Sequence, residues 1–194
     1  MALPGTLTVA DLYAMPESER GERYELITGD LYVNPAPRPR HQLVNSYLLF
    51  HFSSHVRSRR LGWVVDNVGV HVGSLTYVIP DVAFISHEHF EVVGAANIEG
   101  APDLVCEILS PSTRRQDLVT KRAFYARIGV REYWIIDPDA LTVTVLVLEE
   151  GVFAELASAE PGVAVSRVLP GLHLRLDEVF EDIDLIASEP EAQE

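Results

Sequence analysis

Asp81, Glu107 and Lys121 stand where burial is expensive and where their side chains could do chemistry together. Glu107 lies in the strand-like run DLVCEILS. Alternation sends Leu104, Cys106 and Ile108 to one face, and Asp103, Val105, Glu107 and Leu109 to the other. A buried carboxylate is costly without a cation, a metal or strong donors. A salt-bridged strand residue, or an edge strand with this face in water, is the structural alternative. Lys121 lies in the next, helix-like run, at about 300° on a wheel whose apolar stripe is Leu118, Phe124, Tyr125 and Ile128. Its stem could pack while its head reaches solvent, or it could pair with Asp117, worth ~0.2–0.5 kcal/mol. The sharper reading docks the helix on the strand and aims Lys121 at Glu107, because only Pro111-Ser112-Thr113 separates the two elements. Asp81 interrupts the apolar run YVIPDVAFI. If that run neighbours DLVCEILS, Asp81 and Glu107 reach one metal ion; otherwise Asp81 serves the turn after Pro80.

Such a set suits phosphodiester hydrolysis. Two close carboxylates repel unless a divalent cation lies between them, and hard oxygen ligands suit Mg²⁺ or Mn²⁺. A metal there polarises a phosphate and acidifies a bound water. The lysine stabilises developing negative charge or places the attacking water.

The elements that must position these residues read as follows. Thr8 caps a short helix, VADLYAM, ended by Pro16. RYELITGDLYVNP is a hairpin about Thr28-Gly29-Asp30. Pro35, Pro37 and Pro39 stiffen a loop before a helix, HQLVNSYLLFHFSSHVRSR, with helical apolar spacing and Gly62 beyond its end. WVVDNVGVHV, YVIPDVAFIS and DLVCEILS read as strands, with HEHFEVVGAANIEGA a loop. Residues 113–129 form a helix ended by Gly129. EYWIID and LTVTVLVLEE are strands turning at Pro138-Asp139. VFAELAS, VAVSRVL and LHLRL add strands, and Asp177–Phe180 a helical turn. The class is α+β, with a mixed or mainly antiparallel sheet and two main helices.

With 194 residues the chain suits one domain, expected over 1–188, with 189–194 a disordered tail. One cysteine precludes an internal disulfide and fits a reducing cytosol. The first residues carry no basic and apolar signal pattern, and no run approaches the ~20 apolar residues that span a bilayer. A cytoplasmic protein with no membrane partner is the expectation. The net charge of −14, from 29 acidic and 15 basic residues, argues against general nucleic-acid binding. A local basic groove is still open to it, because Arg38, Arg40, Arg57, Arg59 and Arg60 share one segment, and Arg114, Arg115, Lys121, Arg122 and Arg127 another.

The chain resembles the Uma2 family (DUF820) of the PD-(D/E)xK restriction-endonuclease-like superfamily. The resemblance rests on TVADLYAMPE with RYELITGDLYV, His41 opening a helix, IPDVAFIS, PDLVCEILSPSTRRQDLVTKRAFYARIGVREYWIIDP and LPGLHLRLDEVF, in family order over nearly the whole chain. It implies a restriction-endonuclease-like core, a homodimer, and metal binding by Asp81 and Glu107. The superfamily's lysine two residues after the glutamate is Leu109 here, and the resemblance suggests that Lys121 supplies the amine from the helix. Glu25 matches the family's early acidic position, as a further ligand, as a carboxylate behind the ligands, or as a hairpin salt bridge.

Other residues have plainer readings. His41 could touch a scissile phosphate but suits a helix-end role. His87 and His89 lack a third metal ligand and read as surface. Asp103 starts its strand. Cys106, Trp63 and Trp134 read as core. The leading function is a Mg²⁺- or Mn²⁺-dependent endonuclease or phosphodiesterase, probing DNA through a basic groove aligned across a dimer. A degenerate nuclease fold acting as a binding or structural dimer is the alternative, and hydrolysis of another phosphate ester a third. Metal affinity separates the first two.

Overall fold

The computed structural model describes residues 2–3, 6–16, 18 and 21–186; the tail expected to be disordered lies outside them. Thr8 opens helix α1 (Val9–Tyr13) with a capping box: its hydroxyl accepts from the Asp11 N–H, and the Asp11 carboxylate accepts from the Thr8 N–H. Strands β2 (Arg23–Ile27) and β3 (Asp30–Asn34) form the expected hairpin. It turns on Thr28 and Gly29, with φ of 54° and 89°, the two-residue turn whose twist suits paired strands. With β1 (Ala2–Leu3), β5 (Val70–Val72) and β6 (Thr76–Val78) it makes a sheet of order β1-β3-β2-β6-β5.

The larger sheet contains β4 (Gly62–Val65), β7 (Val82–Ser86), β8 (Leu104–Ile108), β9 (Glu132–Asp137), β10 (Thr142–Glu149) and β11 (Val152–Glu155), in the order β11-β10-β9-β8-β7-β4. Only β8 and β9 pair in parallel in this sheet among the described residues. Their connection runs through a π-helical turn, Gln116–Lys121, continuous with α3 (Arg122–Ile128), which ends at Gly129 with φ 90°. A ribbon of β12 (Val163–Val165) and β13 (His173–Arg175) leads to α4 (Leu176–Val179).

Helix α2 (Pro39–Arg59) begins with proline, whose missing N–H costs nothing there, and ends at Arg60 in the left-handed conformation. Val44, Leu48, Phe52 and Val56 cover one face of the larger sheet, against Phe84, Leu104, Cys106, Ile108 and Trp134. Phe124, Tyr125 and the smaller sheet's Val70 and Val78 cover the other, against Val105, Leu109, Tyr133 and Ile135. Glu107 alternates onto this second face. The sandwich of helix, sheet and helix is the expected α+β class with a mixed sheet.

Several expectations are corrected. WVVDNVGVHV and YVIPDVAFIS each break into two strands that belong to different sheets. Extending the β7–β8 register (Val82 opposite Cys106) would set Pro80 opposite Ile108, and proline has no N–H to continue a ladder. HEHFEVV is not a plain loop but holds a 3₁₀ helix, His87–Val92. Trp63 is 51% exposed rather than core: it sits on the edge strand β4 and leans on Phe90, ring centres 4.7 Å apart. Among the described residues no helix is long and apolar enough to cross a membrane.

Candidate active site

The segment joining the two sheets carries Asp81, and the end of β8 carries Glu107. Asp81 Oδ2 accepts the Ile108 N–H at 2.8 Å, so the carboxylate satisfies a buried backbone donor at the end of β8. His41, in the first turn of α2, donates from Nε2 to the same oxygen at 3.0 Å. Glu107 Oε1 accepts from the Tyr125 hydroxyl at 2.7 Å and from Lys121 Nζ at 3.1 Å. Lys121 Nζ also lies 3.1 Å from Glu25 Oε1 and 3.4 Å from Asp117 Oδ1. All of these residues except His41 are buried.

The π-turn accounts for how the helix presents this set. The carbonyl of Asp117 accepts from the Tyr133 hydroxyl at 3.0 Å. A side chain inserted into the helical ladder widens it, as π-bulges do. Gln116, Asp117 and Lys121 then turn inward, while Val119 is 60% exposed. Glu25 answers from β2 with four donors. Its Oε1 accepts from Ile79 N–H (2.7 Å) and Lys121, and its Oε2 from Asn34 (2.6 Å) and Gln116 (2.8 Å). It ties the smaller sheet to the intersheet segment and to the π-turn, and is not a hairpin salt bridge.

Carboxylates outnumber cations here. Burial, with the charges of Asp117, Asp81 and Glu25, pushes Glu107 well above the ordinary carboxylate range despite Lys121. Burial and Glu25 raise Asp117 to about 6 against the pull of Lys121. Burial also opposes the charge on Asp81, but His41, the Ile108 N–H and Lys121 outweigh it and hold Asp81 low. Burial opposes the ammonium as well, and the surrounding carboxylates overcome it, raising Lys121 well above its usual value.

This donor set fits a hard divalent cation. Asp117 Oδ1 is buried with no hydrogen-bond partner among the described residues. There too, the hydrogen bonds to Asp81 fall on Oδ2 and those to Glu107 on Oε1, so Glu107 keeps Oε2 without a hydrogen bond, while Asp81 Oδ1 faces the Arg23 guanidinium at 3.7 Å. Both residues line a cleft of about 60 Å³ with Arg23, His41, Ser110 and Thr113. No three His, Cys, Asp or Glu side chains among the described residues form a closed metal cage. Mg²⁺ does not need one: it keeps waters and takes one or two carboxylates.

The structure thus brings Glu25, Asp81, Glu107 and Lys121 together. It adds His41 and two residues that sequence reasoning did not place in the site, Asp117 and Gln116. The i,i+4 spacing of Asp117 to Lys121 was the available signal. Asp103 stays outside, holding the Ser86 N–H, His89 and Arg131, so His89 is less free than a surface residue. The first arginine segment is split, and two of the arginines are taken up in ion pairs. Arg38 and Arg57 lie at opposite ends of α2, about 30 Å apart by helical rise. Arg40 and Arg114 bind Asp139 and Asp137.

A family model described as "Uma2: Putative restriction endonuclease" matches residues 9–177. Among solved structures, the chain is similar to one described as "a putative nuclease belonging to DUF820 from Anabaena variabilis ATCC 29413". The two share 23% identity and a TM-score of 0.74, over 91% of this chain and 99% of that one. At that identity the likeness establishes a common fold. A search of curated proteins gives no match.

Proposed function

The chain belongs to the Uma2 family, and from that premise we propose that its cleft is the active site of a Mg²⁺- or Mn²⁺-dependent nuclease acting on DNA. The observation that carries this reading is the buried Lys121 ammonium, 3.1 Å from Glu107 on a strand whose next N–H binds Asp81. Asp81 and Glu107 would hold the cation, through Glu107 Oε2 and through Asp81 Oδ1, which now faces Arg23 at 3.7 Å. When bound, it supplies charge to a phosphate and acidity to a water.

The protein's own residues do the positioning. His41 and the Ile108 N–H fix the Asp81 carboxylate, and Tyr125 fixes Glu107. Lys121 carries the positive charge for a phosphate in the cleft. Glu25 sets the ammonium's place and, with both oxygens engaged, serves behind the ligands. Arg23 lines the same cleft, 3.7 Å from Asp81 Oδ1, and a cation on Asp81 would release its guanidinium for a phosphate. A homodimer, as the family resemblance implies, in the cytoplasm, as the single cysteine suggests, completes the reading. With a net charge of −14, DNA contact depends on these local cations and weakens steeply with salt.

The second reading, a scaffold without activity, draws on one observation: Glu107 and Lys121 already satisfy each other with no metal. Cleavage of plasmid DNA in Mg²⁺, Mn²⁺ and EDTA separates the two. The nuclease reading expects metal-dependent cleavage that Glu107→Ala abolishes. Cleavage equal in the variant and the wild type overturns it.

A further inference from the structure

A groove of about 440 Å³ leaves the cleft between β3 and the π-turn, and the two share Asn34, Pro35 and Ser112 as walls. Resting on the nuclease reading of the cleft, we propose that this groove is a subsite for the nucleoside next to the scissile phosphodiester. Its walls match the parts of such a ligand. Arg115 stands on the exposed side, where it meets a flanking phosphate. Tyr32 and Val119 offer the aromatic and apolar surface on which a base packs. This gives the exposed Val119 a role that packing does not: it is 60% exposed, on a turn whose neighbours Gln116, Asp117 and Lys121 are buried.

The polar wall is fixed before any ligand arrives. Asn34 and Gln116 both turn their NH₂ groups to Glu25 Oε2, at 2.6 and 2.8 Å. A carboxylate accepts only from that end of an amide, so each carbonyl oxygen is the atom left for the groove. Neither accepts a hydrogen bond among the described residues, and both residues line the groove. Two preset acceptors suit N–H donors on the edge of a base. Glu25 therefore links the two places: it holds the Lys121 ammonium with one oxygen and the groove's amides with the other.

The test compares calorimetric binding of deoxycytidine 5′-monophosphate and 2-deoxyribose 5-phosphate, in Mg²⁺, to the wild type, Arg115→Ala and Val119→Trp. Thermal melts confirm that the variants fold. The base is expected to tighten binding to the wild type at least threefold over the sugar phosphate. Val119→Trp, which fills the groove, removes that advantage, while Arg115→Ala weakens both ligands. Equal binding of the two ligands by the wild type overturns the subsite, as does a base advantage that survives Val119→Trp. The nuclease reading fails separately, through absent metal-dependent cleavage, with the nucleotide measurement unaffected.

Discussion

Lys121 Nζ lies 3.1 Å from Glu107 Oε1, although the residues are 14 positions apart and each is less than 5% exposed. Neither charge is sensible there alone. Together with Glu25 and Asp117 they form a tripod in which three carboxylates face the ammonium's three N–H donors.

Breaking this cluster from one side is costly. Lys121→Met is expected to destabilise the fold by about 3–5 kcal/mol, because it strands buried carboxylates. Adding Glu107→Gln should cost less than the sum of the single changes, with a coupling of about 1–3 kcal/mol. Urea unfolding of the four proteins measures this. Additive losses would mean that the two side chains do not share their energy.

Asp117 gives the cluster a pH signature. Burial and Glu25 raise its pKa to about 6 in the fold from an ordinary 3.8, so between those values the native state binds the extra proton. Stability from this group therefore falls as pH rises from about 4 to 6, by about 3 kcal/mol, and is then flat. Asp117→Asn removes the loss. The variant's stability relative to the wild type should rise across that window in denaturant titrations at stepped pH. A constant difference from pH 4 to 7 would contradict the raised pKa.

Glu25 is the mechanical centre of the site. Glu25→Ala leaves the Ile79 N–H, Asn34 and Gln116 without their acceptor and removes one of the carboxylates about Lys121. A loss of about 3–5 kcal/mol is expected, since unsatisfied buried donors each cost ~1–3 kcal/mol. Thermal unfolding decides this, and a loss below about 1 kcal/mol would remove Glu25 from its joining role.

His41 acts through Asp81. His41→Ala should weaken Mn²⁺ affinity about 10–100-fold without abolishing it, the usual effect of removing a residue that orients a ligand. A titration showing unchanged affinity would leave His41 as a helix-end residue only.

Much of this site was legible in the sequence because two periodicities hold. Strand alternation separates Cys106, packed beneath α2, from Glu107, which faces α3. Helical spacing turns Lys121 inward with Phe124 and Tyr125. What pattern reading missed lies where a period changes. The π-turn brings in Gln116 and Asp117, and its Asp117 carbonyl is held by the Tyr133 hydroxyl from 16 positions away. Pro80 divides one apolar run between two sheets; proline signals the break, but not that the two halves join different sheets. Glu132 is fully buried and binds Trp134, Ser166, Arg167 and Val168, anchoring the C-terminal segment through partners more than thirty residues away as well as its neighbour. Trp63 reads as core by composition, yet the sheet order puts its strand at an edge.

The central claim is that Asp81 and Glu107 hold one divalent cation beside Lys121. Calorimetric titration of Mn²⁺ into the wild type, Asp81→Ala and Glu107→Ala tests it most directly. Binding of one Mn²⁺ by the wild type, abolished by either substitution while both variants remain folded, is the predicted result. No binding by the wild type, or binding that survives both changes, would contradict it.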